Sequence, residues 1–138
     1  MRVTERDIER VPPRNLRVPR REFGVLWAAA EQRSEDQGAR GVSDFEAGGV
    51  AITCRWLARA VIDAPGGRRR LAHAPITRTS RLAQEELIEA EYLAAETLAA
   101  RGAPPEWLVA RPGYLPAVCA TLRWAWRGRG SAPSLGSS

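Results

Sequence analysis

The stretch from Ser43 to Ile62 constrains the fold more than any other part of the chain, because it is apolar around most of a helix's circumference. At about 100° per residue, Ala47, Val50, Cys54, Leu57, Ala58 and Val61 share one face. Phe45, Ile52 and Trp56 make a second apolar edge, and Arg55 and Arg59 leave only a narrow polar strip. Such a helix needs neighbours on several sides, so it is expected at the centre of a helical assembly. Ser43-Asp44-Phe45-Glu46 has the spacing of a capping box at its start, and Asp63-Ala64-Pro65-Gly66-Gly67 is expected to end it. Gly48, Gly49 and the alanines leave room for another helix to come close.

Three further helices are expected around it. Arg20 to about Arg33 carries Phe23, Leu26, Trp27 and Ala30 as one apolar stripe, with the polar stretch Ser34–Gly41 as its end. A helix from Thr79 or Ser80 to Arg101 is stopped by Gly102 and Pro104-Pro105. A short turn over 105–110 leads to a last helix over 113–127, with Leu115, Val118, Leu122, Ala125 and Trp126 on its apolar face. The predicted fold is all-α: a single-domain bundle of four main helices plus a short helical turn, over residues 20–127. Pro12, Pro13 and Pro19 make residues 1–19 an extended, mobile basic arm, and residues 128–138 a flexible tail. The segment from Asp63 to about Thr79 is expected to be a long basic loop.

The chain has 138 residues, enough for one domain with a real core. No apolar run reaches the ~18 residues needed to span a bilayer, and the N-terminus lacks the apolar stretch of a signal peptide. Cys54 and Cys119 stand alone in apolar helices and are expected as buried free thiols. A cytoplasmic protein without a membrane role fits all of this.

Net charge is +5, and every basic side chain apart from His73 is arginine. Absence of lysine beside abundant Ala and Gly is the codon bias of a GC-rich bacterial genome, so high basicity alone says little about function. Its distribution says more. Residues 1–21 and 111–138 are each net +4, residues 68–81 carry five arginines and no acid, and residues 82–110 are net −5. Basic charge is thus expected on both ends and one loop, against an acidic body.

Four constellations bear on function. Val50–Arg59 and Val118–Arg127 echo each other in V, T, R, W and R. Each echo makes a helical arginine–tryptophan face, the residue pair that dominates binding hot spots. Packing explains Trp56, whereas Trp124 projects away from its helix's apolar stripe. Glu91 falls on an apolar face and needs a partner; a structural buried ion pair with Arg55 or Arg59 is expected. His73, the single histidine, has no companions for a metal site, and neither thiol has an electropositive entrance that would make it a nucleophile. An enzyme centred on Glu91 and His73 would require the two to meet in an open pocket. The last two helices resemble a helix-turn-helix in outline, but Gly113-Tyr114-Leu115-Pro116 offers no base-reading side chain.

The sequence therefore points to a non-enzymatic interaction protein, an adaptor or regulatory partner, with no catalytic residues, metal or cofactor expected. Its partner is expected to be another protein with an acidic surface. Arg14, Arg17, Arg20, Arg21, Arg68, Arg69, Arg70, Arg123, Trp124 and Arg127 are the expected contact residues. Self-association into a homo-oligomer is compatible with an uncovered Trp124. The alternative is non-specific nucleic-acid association through the arginine-rich arm and the 68–81 loop, where arginine density alone suffices for phosphate contact.

Overall fold

In the computed structural model, which describes residues 1–135, the chain is mostly helical with one small antiparallel sheet. A short α1 (Glu5–Glu9) and a 3-10 turn (Pro13–Asn15) precede α2 (Arg20–Ala39) and α3 (Phe45–Leu57). A hairpin, β1 (Val61–Ala64) and β2 (Arg68–Leu71), follows. Then come α4 (Glu85–Ala100), the single turn α5 (Glu106–Val109) and α6 (Tyr114–Ala125). As its composition demands, α3 is the central helix: it packs on α2 and α6, and α4 closes on α6. No helix among the described residues is long and apolar enough to cross a membrane.

The hairpin corrects the all-α expectation, and the reason lies at the end of α3. That helix stops at Leu57, not at Ile62, because Arg59 adopts a left-handed conformation (φ 55). The Arg59 amide then donates to the Trp56 carbonyl and the Ala60 amide to that of Arg55, which satisfies the last helical carbonyls. Val61 and Ile62 are thereby released into β1. Gly66 and Gly67, both at positive φ, turn the chain so that Ile62 pairs with Arg70 and Asp63 with Arg69.

Other boundaries moved for equally local reasons. α2 runs on through Ser34–Ala39 and is ended at Gly41 (φ 75), where the Val42 amide reaches back to the Gln37 carbonyl. Asp44, not Ser43, caps α3, accepting from the Ala47 amide at 2.9 Å while it binds Arg33. α4 begins at Glu85 instead of Thr79 because neighbouring side chains claim the preceding carbonyls. Trp56 takes that of Arg81, and Asn15 and Arg59 both take that of Ala83.

Residues 1–19 do not form an extended arm. Thr4 and Asp7 build a reciprocal capping box that starts α1. Val11, Asn15 and Leu16 are buried, and Asn15 Nδ2 donates to the carbonyls of Leu57 (2.8 Å) and Ala83 (3.2 Å). This segment closes the C-terminal end of α3. At the other end of the chain, residues 131–135 have no regular structure, yet Leu135 packs against the core. The last three residues of the expected tail lie outside the described residues.

The helical echo between residues 50–59 and 118–127 turns out to be a packing device. Gly49 and Ala117 face each other where α3 crosses α6: a Cβ on Gly49 would lie 2.9 Å from the Tyr114 carbonyl oxygen and 3.0 Å from the Ala117 Cβ. One turn further along each helix, buried Thr53 and Thr121 return their hydroxyls to the Gly49 and Ala117 carbonyls, each at 2.7 Å. Gly48 has open space around it. Gly49→Ala should therefore wedge the helices apart and cost about 1–3 kcal/mol. Gly48→Ala should instead stabilise by up to about 1 kcal/mol through helix propensity. Denaturant midpoints of the two variants check the opposite signs.

Candidate functional site

Register in the hairpin and the turn after it create a concave feature rich in arginine. Ile62 and Arg70 are directly paired, so their side chains share one face of the two-stranded sheet. Arg69 alternates to the other face, with its Nε 3.9 Å from the Asp63 carboxylate. Beyond Leu71 the chain folds into a tight turn: the Ala74 amide donates to the Thr79 carbonyl and the Arg78 amide to that of Ala74, with Arg78 at φ 60. A non-glycine residue held in this region stores strain, and such outliers concentrate at functional sites. Between this turn, the hairpin face, the exposed edge of α3 and the start of α6 lies a cleft of about 440 Å³.

Four arginines, Arg55, Arg70, Arg78 and Arg111, line the cleft together with His73 and Tyr114, and no lining residue is acidic. Arg55 forms a hydrogen-bonded ion pair with buried Glu31. Arg78 and Arg111 are held instead by the Trp107 indole, their guanidinium carbons 4.7 and 5.7 Å from its ring centroid. Arg111 also donates to the Trp107 carbonyl at 2.9 Å. Stacking of this kind fixes a guanidinium plane while leaving edge N–H groups for another acceptor. Glu46 lies behind Gly113 at the start of α6, outside the lining.

Arg70 Nη1 lies 2.7 Å from Nε2 of His73. It also lies 3.0 Å from Nδ1, and because a guanidinium only donates, this contact favours the neutral ring, which has one accepting nitrogen. Burial, then Arg70 and Arg78, lower the His73 pKa below its ordinary 6.5. Tyr114 is pushed up to about 12 by burial, and its hydroxyl donates to the Pro75 carbonyl at 2.6 Å, which ties α6 to the cleft turn.

Glu91 does not pair with Arg55 or Arg59. It is 3% exposed and accepts from the Ile76 amide (2.5 Å), the Thr77 amide (2.9 Å) and the Thr77 hydroxyl (2.9 Å). Its position on α4 faces the turn over 74–79, and backbone donors there replace the expected arginine. Arg55 is taken by Glu31 instead, through Nε at 2.6 Å and through Nη2, while Arg59 caps the Ala83 carbonyl. The same sequence criterion that singles out Glu91 applies to Glu31, which follows Trp27 by one helical turn on the α2 stripe and accepts from its indole at 3.0 Å. Glu91 and His73 hold different sides of one turn, and Glu91 does not line the cleft.

The second expected surface also dissolves. Trp124 is 6% exposed because Leu26 and the segment 132–135 share its groove. Arg123 binds Glu96 and Arg127 binds Glu89. Arg17 stacks on Trp126 at 4.3 Å, and Arg14 gives its carbonyl to Arg17. Arg20 is half-buried, Arg21, Arg68 and Arg69 are exposed, and of the ten expected contact residues only Arg70 lines the cleft. Sequence reasoning missed Arg111 and Trp107; an arginine followed by Pro112-Gly113 at the head of a helix was the available signal.

Both cysteines are free and buried, and burial raises their thiols, Cys119 to about 11. Among the described residues no group of three or more His, Cys, Asp or Glu is placed to hold a metal ion. What the site defines is a class only: a mostly helical chain with a hairpin-walled, arginine-lined cleft. No protein-family model matches the chain, and no curated protein or solved structure is significantly similar to it.

Glu91→Ala should leave the Ile76 and Thr77 amides without acceptors and cost about 3 kcal/mol, with faster hydrogen exchange at those two amides. Glu91→Gln, which keeps one acceptor oxygen, should lose less. His73 is the only histidine, so its NMR titration is unambiguous. Its midpoint should fall below 6.5. Because the unfolded ring binds its proton more readily than the folded one, stability should decline as pH drops from above 6.5 toward the folded midpoint. His73→Gln should flatten that decline.

Proposed function

We propose that this chain is a non-enzymatic interaction protein, an adaptor or regulatory subunit, that docks an acidic surface of another protein into the cationic cleft. The observation that carries this reading is the lining: Arg70, Arg78 and Arg111 converge with His73 on one concavity that has no acidic residue in its wall. Like charges brought together in one wall raise the potential of a cleft and attract an anionic group into it. Exposed Arg68, two residues from Arg70 and on the same face of β2, extends the basic surface past the cleft. Reading the four long helices as one bundle domain suits this role, since rigid helices would hold the cleft wall in place for a partner. Two buried free thiols suit a reducing cytoplasm.

Non-specific nucleic-acid association is the second reading, favoured by the three consecutive exposed arginines of β2. The acidic first turn of α4, Glu85 and Glu86, opposes a duplex laid along the body.

Affinity purification of the full chain from its host, with and without nuclease, tests the first reading against the second. A protein partner that survives nuclease and is lost from the R70Q/R78Q/R111Q variant is the expected result. Retention of that partner by the triple variant would remove the cleft from the interaction. Material that carries nucleic acid and disappears with nuclease would replace the first reading with the second. Recovery of a second copy of this chain, lost in the same variant, would make the acidic partner the protein itself.

A further inference from the structure

Arg70, Arg78 and Arg111 differ from Arg123 and Arg127 in how they are held, and that difference narrows the ligand. Arg123 and Arg127 end on carboxylates. Arg70 ends on an imidazole, and Arg78 and Arg111 lie on one indole ring. None of these supports removes charge. The indole positions Arg78 and Arg111 and leaves edge N–H donors unspent, while the imidazole holds Arg70 by a contact it can exchange for another acceptor. The turn that presents Arg78 and His73 is itself clamped, by Glu91 on the Ile76 and Thr77 amides and by Tyr114 on the Pro75 carbonyl. A rigid, strained turn at Arg78 (φ 60) is thus maintained by buried groups from two helices.

A single carboxylate offers one negative charge and two oxygens in a plane, too little for three converging guanidinia. A tetrahedral dianion offers about two charges and three terminal oxygens in three directions. The cleft, at about 440 Å³, has the volume of an ordinary small-ligand site. We propose that it binds a phosphate monoester dianion, with Arg70, Arg78 and Arg111 as the oxygen ligands and His73 as a fourth donor. This rests on the reading of the cleft as the partner-facing surface and specifies the group it receives. Arg70 would leave the His73 ring to meet the phosphate oxygens. His73, facing Arg55, Arg70, Arg78, Arg111 and Tyr114, would then take up a proton and become a donor as well.

Titration of the full chain with O-phosphoserine, glucose 6-phosphate, glutarate and sulfate, followed by calorimetry and by the His73 ring signals, tests this. Both phosphate monoesters should bind at least about tenfold more tightly than glutarate, and Arg78→Gln or Arg111→Gln should each weaken them by about tenfold or more. Arg78→Lys, which keeps the charge and loses the fork, should not restore affinity. Arg101→Gln, an exposed arginine outside the cleft, should leave it unchanged. Phosphate monoester should raise the His73 midpoint. Sulfate, a dianion throughout the range, should bind more tightly near about pH 5.5 than near about pH 8, and that difference should vanish in His73→Gln. Tighter binding of a phosphoserine peptide than of the free amino acid would assign the phosphate to a partner's side chain; equal binding would assign it to a small metabolite, and either supports the site. Glutarate binding as tightly as the monoesters, or monoester binding indifferent to Arg78 and Arg111, would overturn it. So would a short DNA duplex that outcompetes the monoesters. A partner lost from R70Q/R78Q/R111Q yet unaffected by phosphatase would overturn the phosphate alone and leave the acidic docking surface standing.

Discussion

The crossing of α3 and α6 over Gly49 and Ala117 is the contact on which the rest of the structure depends. Only the missing side chain of Gly49 lets the Tyr114 backbone approach so closely. That approach buries Val50, Cys54, Leu57, Val118, Leu122 and Ala125 completely. It also fixes Tyr114 beside Ile52 and Arg55, and these three residues supply the cleft with its helical wall. A pair of threonines at the same crossing is tolerated because each bonds to its own helix. The repeated V and T are therefore the signature of two helices that present similar faces to each other, while the repeated R and W meet other elements.

Polar groups buried around this crossing do a second job: they hold the irregular parts of the chain. Asn15 and Arg59 bond carbonyls at the end of α3 and before α4. Glu91 holds the turn over 74–79 through backbone amides. Glu31 joins α2 to α3 through a two-point contact with Arg55 and takes the Trp27 indole as well. Buried polar atoms require partners, and a loop whose amides and carbonyls are claimed by core side chains has only one way to lie. Such bonds add less to net stability than the apolar crossing does; their effect is to select one geometry for the hairpin and turn.

Charge distribution follows from that geometry. The block of arginines over 68–81 does not act as a unit, because β2 alternates and its side chains part to opposite faces. Arg69 turns toward Asp63, and Arg70 toward the cleft. Arg111, from a different basic block, joins it there. Meanwhile acids of α4 pair with Arg123 on α6 and with Arg127 just beyond it, so two arginines of the C-terminal basic block that looked free are spent on Glu96 and Glu89.

The sequence by itself determined the four long helices and the turn before α6, the centrality of the helix that follows Asp44, a close approach near Gly48 and Gly49 and the burial of both thiols, but not the short α1. Those follow from local periodicity and from capping chemistry, which act over one or two turns. It also carried the demand that Glu91 find a partner, though not which one. Tertiary structure decided that Arg59 would end α3, that a hairpin would follow, that the N-terminal segment would be packed, and that Trp124 would be covered. It decided the site as well, gathering Arg70, Arg78 and Arg111 from a strand, a turn and a helix start. Hydrogen-bond partners and charge neighbours far apart in sequence are set by packing, and a carboxylate satisfied by backbone amides has no counterpart in the residue pattern that could announce it.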